Sequence, residues 1–104
     1  VSGIGAHDAA DGIPESAEEQ AEAALSNLEA YLLDAGSSLA EIVWFRPLVT
    51  SRDHMAAIDK VLDARLPHPR PACGALLVAG LADPRMKIEF EAWAHRGAEL
   101  VERP

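Results

Sequence analysis

The chain has 104 residues, with 17 Asp and Glu against 9 Lys and Arg for a formal charge of −8, so it can fill one hydrophobic core but not two. At 49% hydrophobic and 25% charged, it reads as a folded globular domain, not a disordered segment. Its apolar runs fall far short of the roughly 20 residues that span a bilayer. Its cations form no cluster of the kind that neutralises phosphates. Neither membrane nor nucleic acid is an expected partner.

The first strand candidate is residues 1–5, followed by a polar loop over residues 7–14. Ser16 and Glu19 then have the spacing of a capping box, and Glu15, Glu18 and Glu19 complement the positive end of a helix dipole. Ala21, Ala24, Leu25, Leu28, Leu32 and Ala35 recur at helical spacing, and Gly36 is a C-terminal stop. Residues 40–51 read as the next strand, with Pro47 confining part of it to an edge or a bulge because proline cannot donate to a ladder. Ser51 or Asp53 caps a second helix whose apolar stripe is Met55, Ile58, Val61, Leu62 and Leu66, and Pro67 ends it. His54 reads as a surface residue at that helix start. After an extended connector, residues 72–79 and 86–94 read as two strands of a hairpin whose turn contains Gly80, Asp83 and Pro84.

This order predicts a single α+β domain over residues 1–104, with two helices on one face of a sheet. In the last strand Met86, Ile88, Phe90 and Ala92 suit the helix side, alternating with Lys87, Glu89, Glu91 and Trp93. The strand before it is apolar on both faces, and a strand of that kind needs cover on both. Two helices cover only one face, so a homo-oligomer is expected.

The lone cysteine, Cys73, forms no internal disulfide, and His7, His54, His68 and His95 show no metal-ligand spacing. No metal is expected, and the thiol fits a reducing, cytoplasmic setting. The start at Val1 rather than methionine leaves room for a removed targeting segment.

Several strings resemble the RidA/YjgF family of reactive-intermediate (imine/enamine) deaminases. They are Val1-Ser-Gly, residues 20–36, residues 42–50 and 55–66, and above all Arg70-Pro-Ala-Cys-Gly followed by Lys87-Ile-Glu-Phe-Glu-Ala-Trp-Ala. The resemblance implies a chorismate-mutase-like subunit in a homotrimer, with a small-molecule cleft between subunits and no cofactor. It also implies an N-terminal hairpin of which this chain carries only the closing strand.

The family hydrolyses 2-aminoacrylate and related imines, with an arginine gripping the substrate carboxylate and a glutamate positioning water. The glutamate falls on Glu89. The arginine falls on Cys73, which removes the bidentate cation that such a grip uses. Ordinary 2-aminoacrylate deamination is therefore doubtful, and a small imine, enamine or carbonyl compound without a carboxylate is the expected substrate. Ser2, Gly3, Asp59, Arg70 and Cys73 are the expected substrate-binding residues, and Glu89 and Cys73 the expected catalytic ones. Asp59 stands where the family often has asparagine.

Each site residue has a structural alternative. Cys73 is a packed small hydrophobe or a reactive thiol. Glu89 is a base or a strand carboxylate paired with Arg85 or Arg96, and Glu91 is structural. Arg70 is a stand-in for the missing arginine, or it points to the opposite face. Trp44 and Trp93 line the cleft or pack an interface. The functional alternative is a trimer of the same fold that binds or scaffolds without catalysis.

Overall fold

The computed structural model describes residues 3–68 and 70–99. Helix α1 spans Ala17–Asp34, strand β1 Ile42–Val49, helix α2 Met55–Arg65, and β2, β3 and β4 span Ala72–Cys73, Leu76–Leu77 and Ile88–Ala94. The α+β class and the two-helix count follow the expectation. Val1 and Ser2, part of the first expected strand, lie outside the described residues. Of that strand, Ile4 forms an antiparallel bridge to Phe90.

The start of α1 carries the expected serine cap, with Glu19 reaching back to the Ser16 hydroxyl. Ser16 Oγ accepts the Glu19 N–H at 3.0 Å and donates to the Glu19 carboxylate at 3.0 Å. At its end Gly36 has φ +79, and the Ser37 N–H reaches Leu32 O at 2.8 Å while the Gly36 N–H reaches Leu33 O at 3.0 Å. That is a Schellman closure, which needs a residue comfortable in the left-handed region. Ser51, not Asp53, supplies the second cap, accepting the Asp53 N–H into a single 3₁₀ turn, Arg52–His54, ahead of α2.

Strand β1 is the centre of the sheet. It pairs antiparallel with β4 from Ile42↔Ala94 to Val49↔Ile88, and parallel with β2 (Phe45↔Cys73) and β3 (Leu48↔Leu76). The parallel offset is 28 for both short strands (73 − 45 and 76 − 48). They therefore form one interrupted strand along the edge that β4 leaves free. The expected hairpin is thus corrected: β1 lies between residues 72–77 and β4. A parallel return from β1 needs a crossover, and α2 is that crossover.

Pro47 does not push β1 to an edge, which is a second correction. Phe90 exchanges both backbone bonds with Ile4, at 3.0 and 2.8 Å. The Pro47↔Phe90 pair is therefore the non-hydrogen-bonded kind, and the proline nitrogen turns to the parallel edge. The offset puts Pro47 opposite Ala75, where the parallel ladder breaks between β2 and β3. The missing donor interrupts the neighbour, not the strand that carries it.

One residue, Val43, is extra in β1, since the pairing shifts between Ile42 and Trp44. The bulge lets Ile42 and Phe45 both face inward despite their odd spacing, with Pro47 and Val49 following. Ile88, Phe90 and Ala92 of β4 share that face beneath Leu25 and Leu28 of α1 and Ile58 and Leu62 of α2. Phe45 and Phe90 meet at 5.0 Å in a tilted arrangement, worth about 0.5–1.5 kcal/mol beyond the area buried.

One fully buried polar side chain pins the layers together. Gln20 Nε2 donates to the carbonyls of Pro14 (2.8 Å) and Arg85 (2.9 Å), and its Oε1 accepts the Lys87 N–H at 2.7 Å. Replacing Gln20 with leucine strands two carbonyls and an amide, and is expected to cost about 2–4 kcal/mol by urea denaturation. Gln20→Glu, which keeps only the acceptor half, should fall below wild type as well.

Candidate functional site

The β1–β4 register sends Trp44, Arg46 and Leu48 to the face opposite the helices, beside Trp93, Glu91 and Glu89 in turn. On this open face the two tryptophans meet edge to face at 6.5 Å, and Arg46 lies 5.0 Å from the Trp44 ring centre. Arg46 is held by Glu91, with Nη2 at 2.6 Å and Nε at 2.8 Å from one oxygen. Glu91 is structural, as expected. Trp93 is 69% exposed, and Leu76 and Leu77 on the parallel edge are 46% and 54% exposed. The apolar edge strand is thus bare on both faces, where one had been expected under the helices.

Glu89 stands in a different setting from Glu91. Among the described residues no cation pairs with it, so neither Arg85 nor Arg96 is its partner. Arg85 is spent on Asp83, at 2.7 Å and 3.1 Å. Glu89 lines an open hollow of about 660 Å³ with Gly3, His7 and the turn 82–86. Burial pushes its carboxyl above the ordinary glutamate range, the negative charge of Glu91 adds to the rise, and His7 opposes it. Gly3, at φ +71, sits so close that a Cβ there would stand 3.0 Å from Glu89 Oε1. Gly3 and Glu89 are thus brought together as the sequence suggested, whereas Ser2 lies outside the described residues.

Cys73 and its neighbours form a second group. Cys73 is the register partner of inward-facing Phe45, so it points to the helix side of the sheet. The thiol is exposed, not packed in the core. Local burial pushes its pKa up, Arg70 pulls it down and Asp59 of α2 pushes it up again. A raised pKa disfavours the thiolate that a nucleophile needs. Arg70 pairs with Asp63, so it is not a free stand-in for the absent arginine. Cys73, Asp59 and Arg70 are brought together, but Glu89 lies on the other sheet face and across β1. Within one chain the thiol and the acid do not meet.

A cluster with no sequence signature flanks Glu89. His7 Nε2 lies 3.2 Å from Asp83 Oδ2, although 76 residues separate them. Arg85 holds Asp83, and these bonds keep the Asp83 carboxyl far below the usual carboxylate range. His54 stays apart from this cluster, in the hollow at the end of β1 with Thr50. Among the described residues no group of three or more His, Cys, Asp or Glu converges in the way a metal ion requires.

The combination is a two-helix α+β subunit with a mixed sheet, one open sheet face and a half-buried glutamate in its last strand. Residues 1–96 match the family model described as Endoribonuclease L-PSP, and the chain belongs to this family, the RidA/YjgF family. Over 78 residues it is 38% identical to the mitochondrial protein mmf1 of Schizosaccharomyces pombe, a match covering 73% of this chain and 48% of that relative. The match therefore spans about half the length of the curated relative. Among solved structures it resembles RidA from an Antarctic Psychrobacter (31% identity, TM-score 0.84, 88% of this chain and 75% of that one). It also resembles Escherichia coli TdcF with bound serine (27% identity, TM-score 0.86, 93% and 79%).

Because Glu89 holds its proton more tightly folded than unfolded, its contribution to stability is full below the unfolded pKa. It is lost as pH rises through the folded pKa. Once ionised, the carboxylate is a burden on the fold. Glu89→Gln should melt at or above the wild-type temperature at pH 7, with the gap closing below about pH 4, as followed by circular dichroism from about pH 3 to 8.

Proposed function

We propose that this protein hydrolyses a small imine, enamine or carbonyl compound without a cofactor, at a cleft between the subunits of a homotrimer. The observation that carries the reading is Glu89: a half-buried carboxylate, without an ion-pair partner among the described residues, in a hollow in the last strand of a RidA-family chain. Such a group orients water and takes its proton as the oxygen attacks the electrophilic carbon; with an imine, the proton is passed to nitrogen, the carbon–nitrogen bond breaks and ammonia leaves. That TdcF was solved with serine bound supports a ligand of amino-acid size.

The homotrimer is supported by the open sheet face. Trp44, Trp93, Leu48 and Leu76 form an apolar surface on a domain whose own helices cover only the other side. Assembly also supplies the route by which Cys73 and Asp59 of one copy meet Glu89 of another. The thiol in place of guanidinium favours substrates without a carboxylate over 2-aminoacrylate.

The family model carries an endoribonuclease description, but charge favours a small substrate here. Arg46, Lys60, Arg65, Arg70 and Arg85 each face a carboxylate on the chain itself, leaving those cations little to offer a phosphate backbone. No helix among the described residues is long and apolar enough to cross a membrane. We place the protein in the cytoplasm on its lone thiol; the mitochondrial designation belongs to the yeast relative.

Ammonia release from freshly generated imines tests the reading. Wild type should act on an aryl ketimine lacking a carboxylate, and Glu89→Gln should lose roughly 10²-fold or more in kcat. Cys73→Arg should gain about tenfold or more in kcat/KM on 2-iminopropionate, because a charged hydrogen bond contributes about 1.5–3 kcal/mol. No turnover by wild type on either compound overturns the reading. Light scattering should give three times the chain mass, and Trp93→Glu should shift it towards monomer.

A further inference from the structure

We propose that His7, held by Asp83, is the second proton-transfer group of the Glu89 site, giving a proton to the imine nitrogen while Glu89 takes one from water. This rests on the reading of Glu89 as the water-positioning base. Nothing in the spacing of the chain points to it; the tertiary structure alone puts the three residues together.

The geometry supplies the orientation. Asp83 accepts from Arg85 through both oxygens and from the Arg85 N–H at 2.9 Å. An ionised carboxylate only accepts, so the His7 nitrogen facing it, Nε2, carries a hydrogen. That leaves Nδ1 as the nitrogen that exchanges protons. Extending the Ile4↔Phe90 bridge by one residue puts Gly5 opposite Glu89. A Cβ on Gly5 would stand 2.6 Å from Met86 Cε and 3.4 Å from His7 Nδ1. Nδ1 therefore lies near the glycine opposite Glu89, alongside the Met86 methyl, and the imidazole and the carboxylate line the same hollow. A carboxylate-fixed imidazole next to a second, partly buried carboxylate is an acid and a base in one site.

The proton inventory closes. Water oxygen bonds to the imine carbon as Glu89 takes its proton. The C=N electron pair moves to nitrogen, which takes a proton from the imidazolium. In the second half Glu89 returns its proton to nitrogen, the C–N bond breaks and ammonia leaves. The hydroxyl proton passes to His7 as the carbonyl forms. Both groups end as they began.

The charged groups around His7 are Asp83 at 3.2 Å and Asp11 at 3.8 Å, with Asp8 adjacent in sequence and Arg85 behind Asp83. Glu89 shares its hollow, and Tyr31 and Asp34 of α1 line the hollow on its other side. The His7 carbonyl, not its ring, accepts from Asn27 at 3.0 Å, so a ring substitution leaves that tie to α1 in place.

Two measurements on the full chain decide the matter. In the first, wild type, His7→Gln and Asp83→Asn are compared on the aryl ketimine across pH. His7→Gln should lower kcat about tenfold or more, hold KM within about twofold, and lose the alkaline limb of the profile; Asp83→Asn should give a smaller loss and a displaced limb. A His7→Gln variant with the wild-type profile overturns the proton-transfer role. In the second, the His7 ring resonances are compared by NMR in wild type and in Glu89→Gln at one pH, and they should move when the carboxylate is replaced. Unchanged ring resonances overturn the pairing whether or not turnover is seen. Absence of turnover by wild type with the ring resonances still responsive overturns the hydrolase reading, and the proton-transfer role with it.

Discussion

The antiparallel register of β1 on β4 is the constraint from which the rest of the molecule follows. With Phe45 opposite Ala92 and Val49 opposite Ile88, one set of side chains closes the core and the alternate set is sent to the open face. Side chains in a strand alternate, so a slip of one residue would expose Phe90 and bury Glu89 and Glu91 without partners. The bulge at Val43 adjusts this register at one end and the Ile4 bridge secures β4 on its far edge. Gln20 then fixes where α1 meets the segment entering β4.

The same register distinguishes two neighbouring carboxylates. Glu91 lands opposite Arg46 and is neutralised by it, while Glu89 lands opposite Leu48 and beside the two glycines of the first segment. Glu91 can do little but hold Arg46 over Trp44. Glu89, partly buried and with no cation paired to it among the described residues, is left with a raised proton affinity and an open hollow in front of it. Chemistry and scaffolding are thus separated by two positions along one strand.

The fold also divides the expected site. Cys73, Asp59 and Arg70 gather at the crossover helix, and Glu89, Gly3 and His7 at the opposite edge. β1 stands between the two groups. The departure at Cys73 therefore does not disturb Glu89 within one chain; any coupling between them runs through assembly on the open face. That face joins the apolar Trp44, Trp93, Leu48 and Leu76 to the Arg46–Glu91 pair and Glu89.

Helices, caps and the inward set of the last strand were legible in the residues because they depend on local periodicity and local hydrogen bonds. Ser16, Gly36 and the alternation from Ile88 to Ala92 act within a few residues of themselves. Strand neighbours were not legible. Residues 72–79 and 86–94 are adjacent in sequence and read as a hairpin, yet the crossover helix returns the first of them parallel to β1. Pro47 was recognised as a missing donor, but which edge goes without was decided by Phe90 turning its own donor to Ile4. Glu89 was singled out by resemblance, while the His7–Asp83–Arg85 cluster had no signature at all. Two loops far apart in the chain meet only when the sheet closes between them, and no spacing along a sequence encodes that distance.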